Sequence, residues 1–497
     1  MSLVLGLDIG TTSTIGILIR LPGEVVGLAS RPVTLSSPHG GWAEEDPEQW
    51  WQNVCAITRE LLSLPGVAAR DIKAVGVTGM LPAVVLLDSA GKLIRPSIQQ
   101  SDGRCGAEVE ALRREVNEAA FTQRAGNGVN QQLVAAKLRW IERHEPENFA
   151  RIATVFGSYD FINWRLTGIR AAEQNWALEA GFVDLGTGEI ANDLVALAHV
   201  PLSVVPPKTL SHAILGAVAP EAAEATGLVA GTPVIGGGAD HVASALGAGI
   251  VEPGDVLLKF GGSVDVLVAT DRAVPDPRLY LDYHLVPGLY MPNGCMATGG
   301  SALNWFVAQF AGGAKTEAEA RGISVHQRLD ELADMVPAGA DGVQILPYFL
   351  GEKTPIHDPD IRGLVSGLSL SHGLGHLWRA LLEAYGYAIL HHVEVLRDMG
   401  LAPRRYLASD GGAASRVWMQ IVADILQAPV ERLTRHPGSC LGVAWTAAVG
   451  IGLAYDWLGV TRFAGRGETI SPDPANARIY QAGYSTYRDL YRRIDGR

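Results

Sequence analysis

Apolar and β-branched residues run almost unbroken from Leu3 to Asp8 and again from Ser13 to Ile19, with Gly10-Thr11-Thr12 between them. That pattern predicts a buried strand, a glycine turn and a second buried strand, the glycine standing where a hairpin needs a residue that tolerates positive φ. From Pro47 to Leu62 the apolar positions recur at helical spacing, with Asp46 suited to the N-cap and Pro47 to the first helical position. Ile72–Thr78 reads as a strand that ends at Gly79-Met80-Leu81-Pro82, and Ala83–Leu87 as a further strand with 88–91 as its turn. Helical periodicity returns over 107–118, 131–144 and 159–166, while prolines mark Leu202–Lys208 as a surface connection.

The second half repeats the first. Thr232 to Gly249 is a short strand, a glycine turn and a helix; Asp255 to Ala269 is strand, Gly261-Gly262-Ser263 turn, strand. A glycine turn at Gly299-Gly300 enters a helix, a long helix covers 374–398 before Gly400, and Arg405–Ser415 is again a strand and glycine turn entering the helix 415–427. The hairpins lie about half a chain length apart, which suggests an internally duplicated α/β protein with a ligand cleft between its halves. The expected domains are 1–249 and 250–497.

Bulk composition narrows the function. A chain of 497 residues needs two or three cores, and 47% hydrophobic with 19% charged residues describes a globular protein. A net charge of −12 argues against electrostatic binding to nucleic acid or to an anionic membrane. Cys55, Cys105, Cys295 and Cys440 are scattered, which suggests neither a zinc site nor a disulfide framework. No run reaches the roughly 18 apolar residues of a membrane span, and the start shows no leader pattern, so a cytoplasmic location is expected.

The first hairpin joins Asp8 to the backbone N–H groups and hydroxyls of Gly10, Thr11 and Thr12, a combination suited to a phosphate and a hydrated metal ion. Asp240 falls at a helix start, either as an N-cap or as a general base that the glycines before it leave open to a substrate hydroxyl. His241 has no second histidine three or four residues on, so it reads as a packed helix residue rather than a metal ligand. Asp102 either caps the helix that follows it or joins Arg104 in binding polyol hydroxyls.

Taken together, these motifs resemble the FGGY family of carbohydrate kinases over nearly the whole chain. Its first phosphate motif resembles Asp8-Ile-Gly10-Thr11-Thr12, its base motif Gly236–Asp240, its second phosphate motif Phe260-Gly261-Gly262-Ser263, and its adenosine-side motif Asp410–Ser415 continuing to Gln420 and Asp424. Its C-terminal signature resembles Gly351–Pro355 and Gly367–His372 through Arg379–Glu383. The resemblance implies two ribonuclease-H-like domains of the actin and sugar-kinase ATPase type, closing on a cleft. It implies transfer of the γ-phosphoryl group of ATP, with Mg²⁺, to a sugar or polyol hydroxyl. Asp240 would be the base, and Asp8 would act through a metal-bound water. Gly10, Thr11, Thr12, Gly261, Gly262 and Ser263 would hold phosphate oxygens, and Gly300, Asn304, Gly411, Gly412 and Ser415 the nucleoside.

Within the family, Asp102-Gly-Arg104 and Trp42–Pro47 with Trp50-Trp51 resemble the xylulokinase-like subgroup, which makes a ketopentose such as D-xylulose the expected substrate. Two positions depart. Gly262 stands where the family usually has Thr. Met80-Leu81-Pro82 in the substrate wall replaces the Gln-Met-His of xylulokinases with a more apolar surface. Another ketose, an erythritol- or glycerol-like polyol, or a sugar acid is therefore the alternative substrate. A catalytically inactive nucleotide-binding regulator is the alternative class, against which the retained Asp8 and Asp240 count. An NAD-linked enzyme lacks its Gly-x-Gly-x-x-Gly after the first strand. The expected partners are the sugar and ATP, with a homodimer as an allowed assembly.

Overall fold

The computed structural model describes residues 2–495. The chain divides into two compact units, one of Met1–Val251, Asp271–Pro292 and Pro437–Ala464, the other of Glu252–Thr270, Asn293–His436 and Gly465–Arg497. A single division at 249/250 therefore does not describe them. Two later segments return to the first unit, and the second of these supplies a helix that its sheet needs.

In the first unit the strands Leu3–Ile9, Ser13–Arg20 and Glu24–Pro32 form an antiparallel meander, its first strand lying parallel to Ile72–Gly79. Pro233–Ile235 adds a parallel strand on the far side, and Ile214–Ala217 closes that edge antiparallel. Because successive side chains alternate between faces, Gly6 and Gly16 open opposite faces of the hairpin, since Gly16 pairs with Leu7. A Cβ at Gly16 would meet Ile57 of the helix Pro47–Leu62, and one at Gly6 would meet the backbone of Cys440. The helix Ser439–Gly450 is thus seated directly on the sheet, at positions where only glycine leaves room. Asp46 caps the helix Pro47–Leu62, accepting from the Glu48 N–H at 2.9 Å, as its sequence predicts.

Ser439–Gly450 also packs against the helix Asp240–Ala248. Contact is so close that a Cβ at Gly442 would overlap the carbonyl oxygen of Ala243. Gly442→Ala should therefore push the two helices apart, at an overpacking cost of about 1–3 kcal/mol. A thermal scan checks this: the unfolding midpoint should fall by a few degrees, and an unchanged midpoint would contradict the packing described.

Some local expectations shift. The helix expected over 107–118 is two helices, Gly106–Glu115 and Glu118–Ala125, because Val116 is extended and Asn117 caps the second one. Cys105 rather than Asp102 precedes the first. The meander strand Glu24–Pro32 was not apparent in the sequence pattern; its mixed burial gives no clean apolar face.

The second unit repeats the plan. The strand ending at Cys295, then Val264–Val268 and Asp255–Phe260, form the meander; Arg405–Ser409 and Val430–Arg435 run parallel to Asp255–Phe260, and Gly465–Ile470 closes the edge antiparallel. These six strands match the six named in the first sheet in order and direction, so the duplication inferred from two hairpins extends to a ribonuclease-H-like α/β architecture in each unit. The long helix Leu374–Asp398 is followed by Gly400 at φ 74°, as its sequence predicts. Among the described residues no helix is long and apolar enough to cross a membrane.

Candidate active site

Parallel register organises the first unit's candidate residues. Ile9 pairs with Gly79, and Gly79 pairs with Ala239 of the short strand Gly238–Ala239. Gly10, Met80 and Asp240 are the next residue of each strand, so hairpin tip, candidate substrate wall and candidate base leave the sheet at one end. Neighbouring strands lie about 4.8 Å apart, which keeps these groups within the reach of one small ligand. The carboxyl ends of parallel strands are also where α/β sheets bind ligands.

One row back lie Asp8, Thr78 and Gly238, with the Thr78 hydroxyl donating to the Gly238 carbonyl at 2.7 Å. Asp8 is buried, and its Oδ2 accepts from the Ser439 hydroxyl at 2.5 Å. Ser439 opens the helix Ser439–Gly450, so the carboxylate stands at the helix's positive end. Gly10 N–H donates to the Ser13 carbonyl at 3.1 Å, closing the turn, while Thr12 at the tip is exposed. One carboxylate with neighbouring hydroxyls fits Mg²⁺, which keeps most of its waters and takes few protein ligands.

Gly237 has φ 89°, and a Cβ there would overlap the Val77 carbonyl, so this turn needs glycine. Ala239 takes the cap position, and Asp240 is the first helical residue rather than the cap. Its Oδ1 accepts from the His241 backbone N–H at 2.6 Å and faces His241 Nδ1 at 3.3 Å. On the other side of the ring, Nε2 is 2.7 Å from Oδ2 of the buried Asp282. Burial alone would lower the imidazole's pKa, but Asp282 and Asp240 outweigh it and hold His241 well above its ordinary value. Glu179, drawn into the same cluster, is pushed well above the carboxylate range by burial and then by the Asp282 charge.

Met80, Leu81 and Pro82 are buried and clamped from several sides. Met80 N–H donates to the Ile9 carbonyl at 3.1 Å, Ser158 donates to the Met80 carbonyl at 2.8 Å, and Lys137 Nζ reaches the Gln99 carbonyl at 2.7 Å and the Pro82 carbonyl at 3.4 Å. Burial pushes that lysine down to about 8. Asp102 and Arg104 face each other. Arg104 donates twice to the Asp102 carboxylate, at 2.8 and 2.6 Å, Asp102 also accepts the Ala43 N–H at 2.5 Å, and Arg104 pairs with Glu44 at 2.7 Å. Burial works to raise the Asp102 carboxyl, and the guanidinium with two backbone donors more than reverses it, leaving it below its ordinary value. The guanidinium lies 3.8 Å from the centre of the Trp42 ring. Both side chains are fully buried, so the pair is bonded to protein partners instead of presenting an open polyol-binding edge.

In the second unit the hairpin tip docks on a helix start. Gly300 N–H donates to the Gly261 carbonyl at 2.9 Å, and Ser301 donates to the Gly262 carbonyl through N–H at 3.1 Å and hydroxyl at 2.9 Å. Gly412 is wedged between Phe260 and Trp418, where a Cβ would clash with both. The structure thus gathers Gly261, Gly262, Ser263, Gly300 and Gly412 into one region, with Gly411 and Gly262 exposed and Asn304 exposed one turn along the helix Gly300–Phe310. Ser263 donates to Asp265 at 3.0 Å. Ser415 caps the helix Arg416–Leu426 through the Trp418 N–H at 3.0 Å. Burial raises the Asp410 carboxyl, partly opposed by Lys259.

Two pairings escape sequence reasoning: Ser439 with Asp8, 431 residues apart, and Asp282 with His241, 41 residues apart. No local signal marks either, because both partners come from segments that return to the first unit.

Family models for the N-terminal and C-terminal domains of the FGGY family of carbohydrate kinases match residues 3–247 and 256–451. The xylulose kinase of Escherichia coli (strain K12) is 30% identical over 494 residues, 99% of each chain. The L-xylulose/3-keto-L-gulonate kinase of the same organism is 29% identical over 504 residues, 99% of this chain and 97% of that one. Among solved structures, the xylulose kinase from Rhodospirillum rubrum is 60% identical and superposes with a TM-score of 0.93 over 99% of both chains.

Proposed function

Because the chain belongs to the FGGY family of carbohydrate kinases, we propose that it transfers the γ-phosphoryl group of ATP to a hydroxyl of D-xylulose, giving xylulose 5-phosphate. The observation that carries this reading is the shared row Ile9–Gly79–Ala239, beyond which Gly10, Met80 and Asp240 leave the sheet together. Similarity to xylulose kinases over the whole chain supports the choice of sugar.

Phosphoryl transfer asks a protein for positioning and charge neutralisation more than for covalent chemistry. Asp240 accepts the proton of the attacking hydroxyl as the bond to phosphorus forms. Backbone N–H groups and hydroxyls of Gly10–Thr12 and Gly261–Ser263 take phosphate oxygens, with Gly262 offering backbone alone where a threonine would add a hydroxyl. Mg²⁺, when bound, neutralises phosphate charge, and Asp8 would hold it through a water. Gly300, Asn304, Gly411, Gly412 and Ser415 line the nucleoside side. Met80, Leu81 and Pro82 form the sugar wall. Asp102 holds the Arg104 guanidinium in place over the Trp42 ring. Use of ATP fits the cytoplasm.

The apolar wall favours a specific contest over the sugar. Steady-state phosphorylation of D-xylulose, L-xylulose, glycerol, erythritol and gluconate with ATP and Mg²⁺ decides it. D-xylulose should give the highest kcat/KM; a larger value for any other acceptor overturns the sugar assignment, and absence of turnover on all of them favours the inactive regulator.

A further inference from the structure

We infer that His241 is a positioning residue for the base, the middle member of a carboxylate–imidazole–carboxylate chain running from Asp282 to Asp240. This inference rests on the assignment of Asp240 as the base. The histidine contacts Asp240 Oδ1 through its backbone N–H at 2.6 Å and through Nδ1 at 3.3 Å, while Nε2 lies 2.7 Å from Asp282 Oδ2. One carboxylate oxygen of the base is therefore tied to a ring whose far side is anchored in the core.

The anchor is itself held. Asp282 sits on the strand Tyr280–Tyr283, and both of its neighbours are pinned by side-chain amides. Leu281 exchanges two hydrogen bonds with Asn127, at 2.9 and 3.0 Å, and the Tyr283 N–H donates to Asn175 at 2.7 Å. Alternation along the strand turns Asp282 to the face opposite those neighbours, where its side chain is fully buried against His241. Glu179, at the end of the helix Gln174–Glu179, completes the cluster, with one oxygen or nitrogen of each of Glu179, His241 and Asp282 within 4.8 Å of the others. Both ring nitrogens of His241 are directed at carboxylates at hydrogen-bond distances, so the cluster reads as a proton-linked chain and not as a cation site.

The charged groups around the ring are Asp240, Asp282 and Glu179, with Lys137 acting on Glu179 from across the cluster. Other elements packed on the helix Asp240–Ala248 bring Cys440 beside Asp8, Arg462 beside Gly23 and the exposed Lys73. The two aspartates hold the ring protonated through neutral pH, and an imidazolium donates to Asp240 from Nδ1. As pH rises through the raised value, that donor is lost and the carboxylate loosens, which gives kcat an alkaline limb.

The test compares pH profiles of kcat with D-xylulose for wild type, His241→Gln and Asp282→Asn, with Asp240→Asn alongside and ATP binding followed by fluorescence. Asp282→Asn should move the alkaline limb down by about one pH unit or more, because the charge that holds the proton is gone. His241→Gln should abolish that limb and lower kcat about tenfold with KM for ATP unchanged, a smaller loss than removal of the base itself, which costs about 10²–10⁴-fold. An unmoved limb in both variants, or a purified protein carrying one tightly bound transition metal per chain, overturns the inference. If Asp240→Asn keeps wild-type turnover, the base assignment fails instead. If it is inactive while the other two variants keep the wild-type profile, only the role of His241 fails.

Discussion

Asp240→Asn should lower kcat by about 10²–10⁴-fold, the range over which a positioned general base contributes to proton transfer. The amide has the shape of the carboxylate, and its oxygen still accepts from the His241 N–H, which bonds Oδ1 at 2.6 Å in the native protein. What it lacks is the capacity to take a proton. The helix that carries it keeps the apolar packing of Val242, Leu246 and the alanines between them, so the unfolding midpoint should stay within a degree or so of wild type. ATP affinity should also hold, since no phosphate contact is assigned to this side chain. Turnover within tenfold of wild type, in a variant that binds ATP normally, would remove Asp240 from the chemistry.

Arg379→Met should cost about 3–5 kcal/mol of stability, because it leaves a buried carboxylate without its cation. Arg379 lies in the helix Leu374–Asp398 and donates to Glu383 at 2.9 Å, to the Val336 carbonyl at 2.9 Å and to the Tyr480 hydroxyl at 2.9 Å. Glu383 is 1% exposed and, among the described residues, keeps the Gly339 N–H and the Tyr480 hydroxyl once the guanidinium is gone. Burial already raises the Glu383 carboxyl against the pull of Arg379, and losing the arginine raises it further. A carboxyl whose folded pKa lies above its unfolded value favours folding when protonated, so its penalty is absent at low pH and grows as pH rises through the unfolded value towards the folded one. Denaturant unfolding should therefore show a smaller deficit near pH 5 than near pH 8, and Arg379→Met with Glu383→Leu should recover much of the loss. A deficit that ignores pH and persists in the double variant would assign the cost to packing around the methionine.

Local signals in the sequence were enough to locate both hairpins, the Asp46-capped helix and the glycine turn before Asp240, because each is decided within about twenty residues by alternation, capping or positive φ. For Asp240 the sequence allows either cap or base, and the structure gives the cap position to Ala239. Along its own helix His241 has no second histidine three or four residues on; its partners come from a strand 41 residues later and a helix more than sixty residues earlier. Asp102 and Arg104 carried the right chemistry for hydroxyl binding, yet the fold closes them on each other and on Glu44. The compact units also depart from a continuous break near the midpoint, for a similar reason. Gly6, Gly76 and Gly442 have no Cβ so that the helix Ser439–Gly450 can sit against the first sheet and the Asp240 helix, and nothing near those glycines names the segment they accommodate.

Phosphorus NMR of the protein with ATP, Mg²⁺ and D-xylulose shows whether the phosphoryl group reaches the sugar and whether Asp240 is needed for it. The γ-phosphate signal should be replaced by ADP and a sugar phosphomonoester in equal amounts, with the ester on the terminal carbon, and Asp240→Asn should leave the spectrum unchanged over the same period. Release of inorganic phosphate without ester, or ester formation undiminished in Asp240→Asn, would contradict it.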